Sequence, residues 1–220
     1  MLSIIIPVYN QREYTKALLA QIPLVTIGEY EIIVIDWASS DDTQEAIKSY
    51  DNVRYIRTKT NLFVNWAWNL WVEEAKGEYI CIMNNDIVLT HGRDKPLVDN
   101  LVDNIMVTSP IYTTGATPFD GRWFRNNPSQ PFNICWHCFV MKKENRVPII
   151  DKIKIWYGDN WIYNYMMIKK GIEMPVVDSK IHHYESKTVK SKNPMIEAII
   201  YQDDIRWKAN AYNYFKSLDK

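Results

Sequence analysis

Glycine is scarce in this chain, with seven residues among 220. The segment after the first apolar run reads Asn10-Gln11-Arg12-Glu13 and contains none, so a glycine-rich, basic phosphate loop is absent from the place where one would be expected. Cysteine is also sparse, at three residues. A chain of this length buries roughly 70–75% of its unfolded surface and needs no disulfide scaffold, and so few thiols fit a reducing compartment. Neither sign of charge dominates: Lys+Arg and Asp+Glu each number 26. That balance argues against a general polyanion or nucleic-acid binder, while leaving a local basic groove open. No stretch approaches the roughly 20 apolar residues of a membrane-spanning helix. The N-terminus MLSIIIPVYN lacks a basic leader and meets Pro7 early, so no secretory signal is expected, and a cytoplasmic setting, at most peripheral to a membrane, is expected. Hydrophobic residues at 47% and charged residues at 24% are ordinary for a globular protein. The length suits one domain, or one domain with a tail. What stands out is nine Trp and fourteen Tyr, which serve either a bulky core or a surface that faces sugars or partners.

The first half alternates short apolar runs with helical patterns. Residues 2–7 and 31–35 (EIIVI) read as buried strands, 53–57 alternates like a third strand, and 78–83 reads as a fourth. Residues 13–22, 40–50 and 65–76 read as helices between them. Ser40 or Asp41 is the expected N-cap of the second, and Gly77 the C′ residue of the third. A helix over 94–104 and a strand over 105–109 follow. Continuous rather than alternating apolar strands argue for a parallel sheet covered on both faces. Ligands of such a sheet bind at the carboxyl ends of its strands. Asn10, Asp36 and the run Asn84-Asn85-Asp86 should therefore meet on one edge. Residues 112–133, with Gly115, Pro118, Gly121, Pro128 and Pro131, read as an irregular loop. A strand over 134–142, a helix over 159–170, a short strand over 175–178 and an amphipathic helix over 194–218 complete the chain. No internal repeat and no interdomain linker is visible.

An apolar strand ending in Asn84-Asn85-Asp86 delivers hard oxygen ligands, which suit Mg²⁺ or Mn²⁺; Asn and Asp also dominate ordinary turns. Asp36 at a strand end could accept from a base N–H or a ribose hydroxyl, and Trp37 could stack on a base or fill space. Cys135-Trp136-His137-Cys138 lacks the two further ligands that zinc needs, since there is no second C-x-x-C. Cys81 reads as core.

Together these blocks resemble family 2 glycosyltransferases of the GT-A fold. Ser3-Ile4-Ile5-Ile6-Pro7-Val8-Tyr9-Asn10 resembles the family's opening strand, and Val34 to Thr43 its second block. Asn61, Ala67-Trp68-Asn69 and Ala75-Lys76-Gly77-Glu78-Tyr79 resemble its N-x-G…A-x-N…A-x-G-x-Y block. Asn84-Asn85-Asp86 takes the place of the D-x-D metal motif, in the N-N-D form of rhamnosyltransferase-like members. The resemblance covers roughly residues 2–190. Trp37, Ala38, Phe63 and Asn84 depart from the family pattern: Ala38 and Phe63 stand where it prefers glycine.

The resemblance implies a single α/β domain with a mainly parallel sheet. Residues 1–110 would bind the nucleotide sugar, 111–190 the acceptor, and 191–220 form a helical tail. It implies transfer of a hexosyl or deoxyhexosyl group from a UDP-, dTDP- or GDP-sugar to a glycan, lipid-linked or protein acceptor, with inversion. Pro7, Tyr9, Asn10, Asp36, Trp37, Asn61, Asn69 and Asn85 would hold the donor. Asp86 and Asn84, with His183 or His182, would hold Mn²⁺ or Mg²⁺. Asp159, in Trp156-Tyr157-Gly158-Asp159, would be the general base, and Trp136 and His137 would line the acceptor pocket. Adjacent residues of an extended segment point oppositely, so one of His182 and His183 should face the site, with His183 preferred. The tail should pack on the domain or on a second copy, with an interfacial role left open. A nucleotidyltransferase, a non-catalytic nucleotide- or sugar-binding module and a zinc-binding interaction protein are the alternatives.

Overall fold

The computed structural model describes residues 1–61, 63–102, 105–119, 136–166, 175–184 and 194–212, the side chains at 64, 67, 70, 71 and 210–212 excepted. Its strands are β1 (Leu2–Val8), β2 (Tyr30–Asp36), β3 (Val53–Arg57), β4 (Tyr79–Met83), β5 (Ile87–Leu89), β6 (Val107–Thr114), β7 (Cys138–Lys142) and β8 (Val176–His183). Its helices are α1 (Arg12–Val25), α2 (Thr43–Lys48), α3 (Val64–Glu74), α4 (Asp94–Asp99), α5 (Gly158–Asn164) and α6 (Pro194–Arg206). Beyond α6, Trp207–Tyr212 continues as a π-helical turn.

The strands form one sheet in the order β3-β2-β1-β4-β7-β6-β8-β5. β1–β2, β1–β4, β2–β3 and β6–β8 pair parallel; β4–β7, β6–β7 and β5–β8 pair antiparallel. This is the expected mainly parallel α/β architecture, closed on one side by antiparallel returns. The continuous apolar runs have a direct cause. Ile5, Ile33 and Ile35 enter one core with Trp68, Val72 and Ile162. Ile4, Ile6, Val8, Ile32 and Val34 enter the opposite core with Leu18, Leu19, Ile22 and Leu97. Both faces are dry, so alternation disappears. Full burial of each such side chain contributes about 1.5–3 kcal/mol.

Pro7 sits within β1 opposite Ile35. Leu2 N–H points to Glu29 on the β2 side, so by alternation position 7 faces β4, beyond the last β1–β4 pair, Ile5–Ile82. The missing proline donor therefore costs the ladder nothing.

Several boundaries differ from expectation. α1 extends through Pro23 to Val25. α2 begins only at Thr43, with Asp42 as the preceding residue. Ser40 is not the cap; Asp41 instead accepts Thr43 N–H at 3.1 Å. α4 stops at Asp99 because Asn100 leaves the helix. The strands expected over 105–109 and 175–178 run on to Thr114 and His183, because β6 and β8 pair with each other. β5 was not foreseen. Three residues carry no period, and only pairing with β8 makes them a strand. Gly121, Pro128, Pro131, Cys135, positions 167–171 and 213–218 lie outside the described residues.

Gly77 is not a helix C′ residue. α3 ends at Glu74 and passes into extended backbone at Ala75. Glycine is required at 77 because a Cβ there would lie 2.7 Å from Ser3 N and Oγ and 2.8 Å from Met1 O. Gly77 N–H donates to Ser3 Oγ (2.8 Å), and Ser3 Oγ and Lys76 N–H both donate to Glu31 (2.5 and 2.6 Å). Ala38 and Phe63 keep the backbone that glycine would adopt, at φ 57° and 66°. Both turns therefore store strain, since the left-handed region costs a non-glycine residue about 1–2 kcal/mol.

Two stability changes follow. Gly77→Ala should destabilise by about 1–3 kcal/mol in urea unfolding, because the atoms it meets are mostly backbone. Ala38→Gly should stabilise by about 0.5–1 kcal/mol, the relieved strain less the entropy glycine adds to the unfolded chain. A lower unfolding midpoint for Ala38→Gly would contradict the strain at this turn.

Candidate active site

Three strand ends build the rim. Asn10 and Gln11, after β1, are both left-handed (φ 58° and 67°). The turn after β2 is tied to them: Asn10 N–H donates to Ser39 Oγ and Asn10 Oδ1 accepts Ser40 N–H, each at 2.8 Å. A shallow cleft of about 540 Å³ opens here between Asn10–Tyr14 and the Asp41-Asp42 pair. Asp36 is fully buried. One of its oxygens accepts Ser39 N–H (2.8 Å); the other accepts Tyr55 OH (2.6 Å) and an Arg57 N–H (2.5 Å). Burial, then the bond to Asp36, lifts the Tyr55 hydroxyl to about 12. This carboxylate anchors the rim from beneath. Trp37 is 3% exposed in the core, its Nε1 without a partner among the described residues. It fills space. Tyr9 is half-buried against the same core.

Other expected donor residues have structural occupations. Asn61 Oδ1 accepts Phe63 N–H at 3.0 Å and shapes the turn into α3. Asn69 grips the backbone of Ile149 in both directions, donating to its carbonyl (2.6 Å) and accepting its N–H (2.7 Å). Asn85 turns back to α1 and donates to Thr15 Oγ1 at 3.0 Å.

β4 ends at Met83, and Asn84 N–H continues the ladder by donating to His137 O at 2.9 Å. β5 and β8 then bring distant residues together. Ile87 pairs with His183, and Tyr184 N–H donates to Asp86 O at 2.9 Å. As a result His183 Nε2 lies 3.2 Å from Asp86 Oδ1, both nearly buried. The His183 ring stacks on His137, with centroids 3.6 Å apart and planes at 10°. His182 points away, to Thr113 Oγ1 (2.7 Å) and Gly115 O (3.2 Å). Burial, then the neighbouring His183, pushes His137 down to about 3, so its ring is neutral at physiological pH. Among the described residues no three His, Cys, Asp or Glu side chains are gathered closely enough to hold an ion alone.

Asn84, Trp136, His137 and Asp159 line one pocket of about 290 Å³, with Asn65, Trp68 and Trp156. The half-buried Asp159 occupies the first turn of α5. Burial raises its carboxyl above the usual range against the lowering effect of local backbone N–H groups, of which Asn160's lies at 2.8 Å. Cys81 and Cys138 lie apart from this pocket's lining, buried with sulfurs 3.9 Å apart.

Two contributors escaped the sequence reading. Asn65 is 1% exposed; its N–H donates to Lys154 O and its amide to Trp156 O, each at 3.0 Å. Asp203 on α6 is fully buried and accepts the N–H groups of Lys154, Ile155 and Trp156 at 2.6–3.1 Å. A signal existed for Asp203. Ile196, Ile200, Asp203 and Trp207 fall on one helical stripe, and a carboxylate in the middle of an apolar stripe demands a partner.

A carboxyl with a raised folded-state pKa keeps its proton after the unfolded chain has lost it, near pH 3.9. Stability then falls as pH rises from there through the folded-state value. Asp159→Asn should therefore melt above the wild type at pH 7, with the difference gone below about pH 3.5. A variant no more stable than wild type at pH 7 would show that burial does not strain this carboxylate.

The sequence profile of the family described as Glycosyl transferase family 2 matches residues 3–172. Glycosyltransferase GlyG of Streptococcus pneumoniae is 30% identical over 93 residues, covering 40% of this chain and 31% of GlyG. Chondroitin synthase of Escherichia coli is 33% identical over 91 residues, 39% of this chain and 13% of the synthase. The matched segment thus spans less than a third of either relative. Among solved structures, a mannosyltransferase from Pyrobaculum calidifontis in complex with GDP-Man and Mn²⁺ superimposes with a TM-score of 0.68 at 14% identity, over 84% of this chain and 57% of that one. Glucosyl-3-phosphoglycerate synthase from Mycobacterium tuberculosis, in complex with Mn²⁺, UDP and glucosyl-3-phosphoglycerate, does so with 0.67 at 14% identity, over 92% and 78%. The shared architecture is the GT-A fold, and with a profile match across most of its length the chain belongs to glycosyl transferase family 2.

Proposed function

We propose that the chain transfers a glycosyl group from a nucleoside-diphosphate sugar to an acceptor hydroxyl, with inversion. The observation that carries this reading is the pocket in which Asn84 and His137, beside the Asp86–His183 pair, share walls with the raised carboxylate of Asp159. Neighbours of the same fold bind GDP-Man or UDP together with Mn²⁺, which supports a nucleotide donor and a divalent ion here. The cleft at Asn10–Tyr14 and Asp41 would take the nucleoside, on a rim that Asp36 anchors from within.

The donor set suits a hard divalent ion. One carboxylate oxygen and one imidazole nitrogen lie 3.2 Å apart, and Mg²⁺ or Mn²⁺ commonly completes so small a protein set with waters and substrate phosphates. Asp86 and His183 would hold it, with Asn84 alongside; when bound, the ion would neutralise charge developing on the leaving diphosphate. Asp159 takes the acceptor hydroxyl's proton as that oxygen bonds to the anomeric carbon. The bond from that carbon to the diphosphate breaks, and its electron pair leaves on the phosphate oxygen. A single displacement inverts the centre. Burial raises the Asp159 carboxyl above its ordinary range, which makes it a stronger base than an exposed aspartate. Trp136, half-buried in the wall of the same pocket, limits the access of water to the donor.

The test is a panel of UDP-, GDP- and dTDP-sugars read by thermal shift with and without Mn²⁺. A donor at 100 times its Kd should add about 2.7 kcal/mol of stability. Asp86→Ala should remove the Mn²⁺-dependent part. Asp159→Asn should keep the shift and abolish nucleoside-diphosphate release. Binding without turnover in the wild type would favour a non-catalytic module on this fold, and turnover surviving in Asp159→Asn would overturn the base assignment.

A further inference from the structure

α6 reaches across the domain to the segment that presents Asp159. Asp203 has no exposed surface, yet it carries a charge that is costly to bury without compensation. Three consecutive backbone N–H groups supply that compensation: Lys154 at 3.0 and 3.1 Å, Ile155 at 2.6 Å and Trp156 at 3.0 Å. Arg206, one turn on, lies 3.9 Å away. The same segment is held from its other side. Asn65 on α3 binds the carbonyls of Lys154 and Trp156. The neighbouring Asp204 accepts Tyr157 OH at 2.6 Å, and the Tyr157 ring stacks on Trp207 at 5.1 Å with planes 6° apart.

These grips leave the chain no slack. Tyr157 is forced into the left-handed region at φ 66°. A Cβ at Gly158 would sit 2.1 Å from Asn65 Oδ1. Asp159 follows at once, and among the described residues its carboxylate is steadied by local backbone N–H groups. Its direction is therefore set by the backbone before it rather than by a second side chain. An apolar residue at 203 would complete the stripe of α6, but it would leave three N–H groups without acceptors.

We propose that Asp203 is a positioning residue for the general base: from α6 it holds the backbone of residues 154–156 and so aims Asp159 at the acceptor hydroxyl. The proposal rests on the reading of Asp159 as the base. A carboxylate displaced by about 1 Å from its working position loses on the order of 100-fold in rate.

The test is Asp203→Asn in the full chain, which keeps side-chain size but sets an NH₂ group against N–H donors. The donor is the nucleotide sugar giving the largest Mn²⁺-dependent thermal shift, and the rate is nucleoside-diphosphate release. The expected result is a fall in kcat on the order of 100-fold with donor KM unchanged. Amide exchange should quicken at 154–156 and stay slow in β1, β2 and β4, and the acid limb of the pH–rate profile should move to lower pH as Asp159 gains water. Faster exchange at 154–156 with unchanged kcat overturns the proposal, as does a loss of kcat matched by faster exchange across the whole sheet. Should Asp203→Asn fail to fold, Tyr157→Phe deletes only the hydroxyl bound to Asp204. A folded Tyr157→Phe protein should lose kcat with the same shift of the acid limb, and wild-type kcat would overturn the coupling of α6 to the base. If Asp159→Asn retains turnover, the base assignment fails whatever Asp203 does; if Asp159→Asn is inactive and Asp203→Asn is not impaired, the positioning role alone fails.

Discussion

A single carboxylate with no access to water, Asp203, ties the last described helix to the segment that opens α5. A folded protein tolerates such a charge only where hydrogen bonds replace its lost solvent. Here the replacements are backbone amides of three successive residues, so satisfying the charge and shaping the loop are one event. Asn65 meets the carbonyls of the same loop. Between them these two residues satisfy both polarities of an irregular segment that would otherwise bury unpaired groups. That segment lines the pocket beside Asp159, where burial raises the carboxyl above its ordinary range.

The other half of the site depends on a different constraint, the closure of the sheet. β1, β2, β3 and β4 run parallel and deliver their polar ends to one edge. Hydrogen bonds between Asn10, Ser39 and Ser40 then join two of those ends. The antiparallel returns finish the arrangement. β7 sets His137 against Asn84, and β8 sets His183 against Asp86. Two left-handed non-glycine residues, Ala38 and Phe63, keep tight turns near this edge. Strain at such places is stored in the backbone and held by surrounding packing.

Much of the parallel half was readable from residues 2 to 83, because strands buried on both faces leave unbroken apolar runs and helices between them leave a period near 3.6. The errors have particular causes. Gly77 was read as a cap because glycine commonly ends helices, whereas its lack of a side chain serves contact with Ser3 and Met1. Asn69 and Asn85 were expected at the donor from the family blocks; in the fold Asn69 bonds the backbone of Ile149 and Asn85 donates to Thr15 Oγ1. The tail was expected to pack on the domain or on a second copy; Ile196 and Trp207 are buried, and Met195, Tyr201 and Ile205 face outward.

The alternation of strands and helices in the parallel half, the dry faces of its central strands, and the polar residues available at their ends were determined by the sequence alone. Each depends on neighbours in the chain or on a short period, and local sterics and burial write both into the residue pattern. The tertiary structure decided which of those polar residues meet. It set His183 rather than His182 beside Asp86, left Asp36 to anchor Arg57 and Tyr55, and placed Asp203 beneath the loop of Asp159. These pairings join positions 19 to 97 residues apart, and their geometry follows from strand register and helix docking, which no local pattern encodes.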